Sequence, residues 1–267
     1  MNPPVGIANS VSFNVDYDPV DTLYFAHQSK FDMVQIYINE AMLEEKQKLV
    51  ELVDRIKEMP LSTVYFHAHG EFNREFAGSD YKVKLFNFLN RFENSRLIHH
   101  FDENEDLDNI IQLVDQLHAD NRRMYLENYF QKQGASNAEK NLRKYTAVFS
   151  LVNSFESKIF PVIDIPRFFH KDIEFTDETS LNWCYQILNF FGNRRMPIVL
   201  HLIDALDPKQ DRNDYCPVGK GYIPYKEIFN FIRKNRVQIE GIILEFLEKI
   251  NPLKSRDNIQ ALLNAGK

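Results

Sequence analysis

The chain alternates short apolar runs with amphipathic stretches from its beginning to its end. Runs that are apolar throughout are typical of parallel strands, because such strands are covered on both faces. The first run, residues 5–13, also contains the loop that leaves its strand. The predicted strands lie within residues 5–13, 33–38, 62–70, 96–101, 123–128, 159–164, 197–204 and 240–246.

Helical periodicity follows these runs. In residues 41–58, Leu49, Val53 and Ile56 share one face and charged residues cover the other, which predicts a helix that Pro60 ends. Similar patterns predict further helices near residues 20–24, 83–89, 107–117, 137–156, 181–191, 224–235 and 255–265.

Strands that alternate with helices pair in parallel through right-handed crossovers. Eight strand–helix units in a chain of this length favour a closed (β/α)8 TIM barrel, which typically has about 250 residues. We therefore predict a single barrel domain over residues 1–267. An open doubly wound sheet is the alternative. It usually carries a glycine-rich phosphate loop after an early strand, and the sequence contains no GxGxxG motif.

Composition narrows the class of protein. With 44% hydrophobic and 26% charged residues, the chain is globular. No apolar stretch is long enough for a membrane span, and the beginning "MNPPVGIANS" lacks the pattern of a signal peptide, so we expect a cytoplasmic protein without a membrane partner. Two cysteines are too few for a disulfide framework. The net charge of −6 counts against nucleic acid as a partner.

Six consecutive predicted strands end in a histidine or a carboxylate. In a TIM barrel all strands end at one face, which carries the catalytic groups. Because neighbouring side chains on a strand point to opposite faces, at most one of His99 and His100 faces the interior. The strand-end residues are His67 with His69 beyond it, His99 and His100, Glu127, Asp164, His201 and Glu245.

Carboxylates that meet in a small cavity need a cation to stay ionised together, so the pattern indicates a divalent metal site. Carboxylate oxygens and imidazole nitrogens suit Mn, Mg, Co or Zn, and the sequence does not select among them. Each residue alone has a simpler explanation: a strand-end histidine is commonly structural, and Asp204 and Asp207 are typical helix caps or turn formers. The repetition at one topological place favours a site.

Six segments, taken in order, resemble the xylose isomerase-like TIM barrel superfamily over nearly the whole chain. That superfamily includes sugar isomerases and epimerases, hydroxypyruvate isomerase, inosose dehydratase and the endonuclease IV group of DNA-repair enzymes. The segments are "FHAHGEFN" after the third strand, "YLEN" at the fifth, "VIDIPR" at the sixth, "VLHLID" at the seventh, "DYCPVGKGYIPYKEI" after it and "IILEF" at the eighth.

The resemblance implies a set of site residues. Glu127 and Glu245 would move protons on the two sides of the substrate. The residues that would bind one divalent metal ion are Glu127, Asp164, His201 and Glu245. The candidates for substrate contact are His67, His99, Arg167 and Asp214.

Two positions depart from the superfamily pattern. Arg167 occupies a position where a histidine is common, and Asp214-Tyr215-Cys216 occupies the place of an Asp-x-His motif. A permanently protonated arginine cannot ligate a metal, whereas a cysteine thiolate can. Arg167 either binds a carboxylate or phosphate of the substrate or pairs with an acid such as Asp214, and both alternatives stay open.

The repair enzymes carry a trinuclear zinc site, and this resemblance keeps the metal number open. His67, His99 and Asp214 match further ligand positions of that site, so a second ion is an alternative to one. The two departures above weaken the case for a third ion.

The predicted function is metal-dependent isomerisation or epimerisation of a small sugar, sugar phosphate or hydroxy-carbonyl compound through an enediolate. One alternative is an endonuclease IV-like phosphodiesterase, against which the acidic net charge counts. The other is a non-catalytic barrel that retains a partial metal site. The sequence leaves homo-oligomer formation open.

Overall fold

Eight parallel strands close into a barrel in the computed structural model, which describes residues 2–93, 95–118, 122–153, 156, 158–207 and 214–265. The closed barrel confirms the predicted (β/α)8 class and excludes the open sheet. Around the barrel the strand order is β1-β2-β3-β4-β5-β6-β7-β10. The strands are β1 Val5–Ala8, β2 Met33–Ile38, β3 Thr63–Phe72, β4 Arg96–Phe101, β5 Arg123–Glu127, β6 Ile159–Asp164, β7 Ile198–Leu202, β8 Asp204–Ala205, β9 Tyr215–Cys216 and β10 Ile239–Leu244.

Helices cover the outside of the barrel, and their apolar faces pack on the strands. The helices are α1 Pro19–Gln28, α2 Glu40–Glu44, α3 Lys46–Glu58, α4 Arg74–Gly78, α5 Asp80–Leu89, α6 Leu107–His118, α7 Ala135–Leu151, α8 Asp177–Asn193, α9 Tyr225–Lys234 and α10 Ile250–Asn264. Among the described residues, no helix has both the length and the apolar character needed to cross a membrane.

The helix predicted at residues 41–58 is two helices in the structure. Asn39 caps α2, because its side chain accepts a hydrogen bond from the Met42 N–H at 2.9 Å. Glu45 then has non-helical backbone angles, with φ −82° and ψ 72°, and separates α2 from α3. The apolar face that predicted the helix survives in α3, where Leu49 and Val53 are buried.

The amino-terminal end of the barrel is closed by a polar network. Glu240 Oε1 accepts hydrogen bonds from Arg123 Nη1 at 3.0 Å, from Tyr125 Oη at 2.8 Å and from Arg96 Nη1. The same Arg96 nitrogen donates to Tyr65 Oη at 2.8 Å. These side chains point inward from the first half of their strands. They leave the carboxyl ends of the strands as the place for a cleft.

The sequence did not predict several short elements at the carboxyl-terminal rim. The helix α4 follows β3, and the two-stranded antiparallel sheet β8–β9 follows β7. Three 3-10 segments also lie there, at Asn9–Val15, Pro166–Phe169 and Lys171–Ile173. Each is too short to produce a periodic pattern, and each shapes the entrance to the barrel.

Candidate metal and active site

Strand register brings the predicted strand-end residues together. His100 on β4 is the register partner of Glu127 on β5, and Asp164 on β6 is the partner of His201 on β7. Glu245 follows β10 directly, and its N–H donates to the Leu202 carbonyl of β7 at 3.2 Å. Register partners in a parallel sheet point to the same face, so each pair faces the interior together.

Glu127 lies at the centre of this group and is 1% exposed. Its Oε2 is 3.0 Å from His67 Nε2 and 3.2 Å from His201 Nδ1. Its Oε1 is 3.5 Å from Arg167 Nε and 3.8 Å from His100 Nε2. We call the full set the rim cluster, and its members are His67, His100, Glu127, Asp164, Arg167, His201 and Glu245.

His67 has an orientation that suits a metal ligand. Its Nδ1 is 3.0 Å from the Ala68 carbonyl, which can only accept a hydrogen bond. Its Nε2 lies 3.0 Å from Glu127 Oε2. The ring is therefore held with one nitrogen turned toward a carboxylate, as imidazole and carboxylate ligands of a shared cation are.

His201 is fully buried between two carboxylates. Its Nδ1 is 3.2 Å from both Glu127 Oε2 and Glu245 Oε1, so the two carboxylates pair with this nitrogen. Its Nε2 is buried without a hydrogen-bond partner among the described residues, and buried polar atoms of that kind are rare in proteins. Gln35, which sequence analysis missed, donates to Glu245 Oε1 at 2.7 Å and holds that carboxylate beside His201.

Arg167 points into the rim cluster. Its Nε lies 2.7 Å from Asp164 Oδ2 as well as near Glu127, and its guanidinium carbon lies 4.3 Å from the centre of the Tyr129 ring. Of the two alternatives for Arg167, the structure contains the ion pair with nearby acids, and these acids are Asp164 and Glu127, not Asp214. Tyr129 also stacks on His100 at 4.1 Å, so one aromatic ring orders two cluster members.

The cluster shifts the ionisation of its members. Burial opposes ionisation of Glu127, but the neighbouring His201 and His100 outweigh it and hold the Glu127 pKa well below its usual range. Burial raises the pKa of Asp164 to about 7 against the opposing charge of Arg167. Burial alone would lower the His201 pKa, but Glu245 and Glu127 raise it to about 9. His201 is therefore protonated at neutral pH in the metal-free site.

The structure does not place His99 in the rim cluster. Its neighbour His100 lies there instead. His99 points away from the barrel interior and packs against Phe76, with the ring centres 4.2 Å apart. Burial lowers its pKa to about 3. One feature of the sequence agrees with the inward direction of His100. Arg96 and Arg123 are the first residues of β4 and β5, and both contact Glu240 at the amino-terminal end of the barrel interior. His100 and Glu127 each follow four residues later and therefore point to the same face.

Replacing His99 by leucine is expected to leave metal content unchanged and stability within about 1 kcal/mol of the wild type. Both His99 ring nitrogens are buried without hydrogen-bond partners among the described residues, so an apolar side chain relieves a desolvation cost. Replacing His100 by leucine is expected to weaken metal binding about tenfold. Elemental analysis and urea unfolding of both variants check this. Loss of metal from His99→Leu alone would contradict the placement.

Asp214 and Cys216 are not part of the rim cluster. Asp214 is exposed, and its carbonyl accepts from the Leu206 N–H at 3.1 Å. Cys216 is buried on β9, and burial beside Asp204 raises the pKa of its thiol to about 11. A neutral, packed thiol is a poor metal ligand. The structure therefore does not support Cys216 as a ligand, and the substrate contact predicted for Asp214 stays a prediction.

Structural comparison identifies the fold. No protein-family model matches the chain, and no curated protein matches it. The IolI protein with a bound zinc atom superposes with a TM-score of 0.67 at 12% identity, over 97% of this chain and 98% of that one. D-allulose 3-epimerase from Methylomonas sp. gives 0.63 at 12% identity over 98% of each chain. A xylose isomerase domain protein from Planctomyces limnophilus gives 0.59 at 11% identity over 98% of each.

The chain has the (β/α)8 TIM barrel fold of these proteins. This confirms, at the level of fold, the resemblance predicted from the six sequence segments. The likeness covers nearly the full length of these neighbours. At this level of identity, activity and metal use have to be argued from the residues of the site itself.

In this barrel, the rim cluster borders a cleft that opens to solvent at the carboxyl ends of the strands. Polar groups on the cleft wall include Asp164, Arg167, His170 and Glu245. The side chain of Glu245 is 27% exposed, so it is the acid of the cluster most open to the cleft.

A loop after β9 is fastened to Asp204 at the side of the cleft. Asp204 Oδ2 accepts from the Gly219 and Gly221 N–H groups, both at 2.9 Å, and Oδ1 accepts from Ala205 at 3.0 Å and Ile223 at 3.3 Å. The sequence-based assignment of Asp204 as a turn former matches these contacts. Gly221 must lack a side chain, because a Cβ there would lie 2.3 Å from the Ala205 carbonyl oxygen.

Asn128 is a second residue that sequence analysis missed. It is fully buried, accepts from the Asp164 N–H at 2.7 Å through Oδ1, and donates from Nδ2 to the Asp164 carbonyl at 3.3 Å. These two bonds continue the β5–β6 pairing beyond Glu127 and fix the backbone from which the Asp164 side chain projects. The asparagine in the "YLEN" segment was its only signal.

The residues present fit a divalent metal ion. His67, His100 and Glu127 form the group found among the described residues whose ligand atoms all lie within 4.8 Å of one another. Next to it, His201 Nδ1 lies 3.2 Å from both Glu127 Oε2 and Glu245 Oε1. Imidazole and carboxylate donors of this kind suit Zn, Mn or Co. Of the four predicted metal ligands, Glu127 belongs to that group, His201 and Glu245 lie beside it, and Asp164 pairs with Arg167.

Proposed function

We propose that this protein is a divalent-metal-dependent isomerase of a small sugar, sugar phosphate or related hydroxy-carbonyl compound. The observation that carries the proposal is the convergence of Glu127, Asp164, His201 and Glu245 beside a solvent-open cleft at the barrel mouth. The likeness to IolI with bound zinc and to D-allulose 3-epimerase supports it.

Glu127, Asp164, His201 and Glu245 would hold the ion. When bound there, a divalent metal polarises a substrate carbonyl and makes the neighbouring C–H bond more acidic. Gln35 and Asn128 would orient the ligand set, because they hydrogen-bond to Glu245 and to the Asp164 backbone.

Exposure assigns different tasks to the two candidate catalytic glutamates. Glu127 is 1% exposed and enclosed by His67, His201 and Arg167, so its task is to hold the ion. Glu245 faces the cleft, and its contacts with Gln35 and His201 both involve Oε1. Oε2 therefore takes the proton from the hydroxyl-bearing carbon and returns it to the adjacent carbonyl carbon. The hydroxyl proton moves to the former carbonyl oxygen, so that the carbonyl and hydroxyl groups exchange places.

A single base works from one face of the substrate. Transfer between adjacent carbons on one face interconverts an aldose and a ketose, whereas inversion at one carbon needs proton delivery from the opposite face. The proposal therefore favours isomerisation over the epimerisation that the sequence left open. Small sugars are its partners, and one divalent ion is its cofactor.

The test combines metal analysis with a substrate panel. Protein purified without chelator is analysed for metals and assayed against aldoses, ketoses and their phosphates in D2O. We expect one ion per chain, activity on one substrate group, and a loss of about 10³-fold in kcat for Glu245→Gln when the assay contains enough metal to saturate the weakened site. Glu51→Gln, at an exposed position on α3, is the control. Full activity of Glu245→Gln would contradict the assignment.

Phosphodiester hydrolysis is the second candidate, because the His67, His100 and Glu127 group offers donors for a second ion. A two-metal site could bind both the attacking and the leaving oxygen of a phosphodiester. Two zinc ions per chain together with cleavage of duplex DNA at abasic sites would replace the isomerase proposal. Absence of any ion and of both reactions would instead indicate the non-catalytic barrel.

A further inference from the structure

Arg167 places a positive charge inside a cluster of metal-ligating groups. Its side chain is 21% exposed, and its Nε lies 2.7 Å from Asp164 Oδ2 and 3.5 Å from Glu127 Oε1. The Tyr129 ring lies against its guanidinium. The position is therefore held by two carboxylates and one aromatic ring, and it does not depend on a substrate.

These contacts decide between the two explanations for Arg167. A guanidinium that binds substrate anions needs charge left uncompensated toward the cleft. Arg167 already contacts two carboxylates, so an incoming carboxylate or phosphate would meet their repulsion. Arginine stays protonated at every relevant pH, so the charge is permanent. Arg167 is thus an internal counter-ion of the cluster.

Neither Cys216 nor Asp214 is placed to act as a replacement ligand for an additional metal ion beside Arg167. Cys216, which could ligate as a thiolate, is packed so closely that a Cβ on Gly221 would lie 2.6 Å from its sulfur. Asp214 is exposed at the edge of β9. An ion on this side would have Asp164 as its ligand, and Asp164 already pairs with Arg167.

We propose that Arg167 takes the place of a metal ion: it neutralises Asp164 and Glu127, confines the site to one divalent ion, and weakens the binding of that ion. This inference rests on the metal site of the proposed function. The physical reason is repulsion between a fixed guanidinium and a divalent cation that share two carboxylate ligands. Arg167 is accordingly a determinant of metal number and affinity.

The experiment compares metal binding by the wild type with that of Arg167→Met, Arg167→Lys and the control Arg143→Met. Arg143 is an arginine with a 70% exposed side chain on α7. Each protein is stripped with chelator, titrated with Zn²⁺ and Mn²⁺, and analysed for bound metal after gel filtration. Circular dichroism confirms that each variant is folded. Arg167→Gln is a second neutral variant, should Arg167→Met fail to fold.

We expect one ion in the wild type, in Arg167→Lys and in Arg143→Met. In Arg167→Met or Arg167→Gln we expect that ion to bind at least about tenfold tighter, with uptake of a further equivalent. Unchanged number and affinity in both neutral variants would overturn the inference, as would two or more ions in the wild type.

The same measurements test the proposed function separately. If the wild type binds no metal and a neutral variant binds one ion, the result would support the role of Arg167 and contradict metal-dependent catalysis. One ion with unchanged affinity in the wild type and in both neutral variants would overturn the role of Arg167 and leave the proposed function intact.

Discussion

Glu127→Gln is expected to weaken divalent-metal binding by more than about 100-fold and to abolish detectable turnover. Removing residues that only orient metal ligands costs 10–100-fold in affinity as a rule, and Glu127 is a direct ligand in the proposed site. Both of its oxygens serve the cluster: Oε2 lies between His67 and His201, and Oε1 lies near Arg167. An amide offers one weaker ligand oxygen and places an NH2 group against cationic partners.

The same substitution is expected to lower the free energy of unfolding of the metal-free protein by about 3 kcal/mol. A buried ion pair that loses one partner leaves the other charge uncompensated, and here His201 and Arg167 lose a shared carboxylate. Isothermal titration with Mn²⁺ measures the metal affinity, and urea unfolding with chelator present measures the stability.

Glu103→Gln is the matched control for Glu127→Gln. Glu103 is also a buried glutamate, but it lies outside the rim cluster and accepts a hydrogen bond from Asn141 Nδ2 at 2.7 Å. It should keep wild-type metal affinity. If Glu127→Gln bound metal as tightly as Glu103→Gln, the proposed position of the ion would be wrong.

The barrel and the convergence of its strand ends could be predicted from sequence for a physical reason. Once eight parallel strands close, the last residue of each strand reaches the same rim, whatever lies between the strands. The positions of Glu127, Asp164 and His201 therefore follow from the ends of three apolar runs. Glu245 follows in the same way, because β10 ends one residue before it.

The errors arose where the answer depended on side-chain direction or on irregular backbone. To choose between His99 and His100, one must know which alternate residues of β4 point into the barrel. The apolar pattern of a strand that is covered on both faces does not reveal this. The partner of Arg167 depends on the 3-10 segment that turns its side chain toward Asp164. The placement of Asp214 depends on the β8–β9 pairing, which involves two residues from each strand.

Metal binding is expected to tighten as the pH rises from 6 to 9. His201 must lose its proton before it can ligate, and Glu245 and Glu127 have overcome its burial to raise its pKa to about 9. Burial raises the Asp164 pKa to about 7, so below that pH a second proton must also leave. The apparent association constant should therefore rise about tenfold per pH unit between 7 and 9, and more steeply below 7.

The same two groups set the stability of the metal-free protein. The folded-state pKa of His201 is raised, so its contribution is fully present below its ordinary value and is lost as the pH rises through about 9. Asp164 binds its proton more tightly when folded, and this contribution is lost as the pH rises through about 7. These shifts should make the metal-free protein less stable at higher pH, while bound metal compensates by neutralising the carboxylates.

Thermal unfolding at pH 6, 7, 8 and 9 measures how much Mn²⁺ raises the unfolding temperature. This increase should become larger as the pH rises. His99→Leu provides the control: burial keeps the pKa of His99 at about 3, so this imidazole is neutral throughout the range and its removal should leave the profile unchanged. An increase independent of pH would mean that metal binding displaces no proton from His201 or Asp164. The ion would then lie elsewhere, and the four-residue ligand set would have to be abandoned.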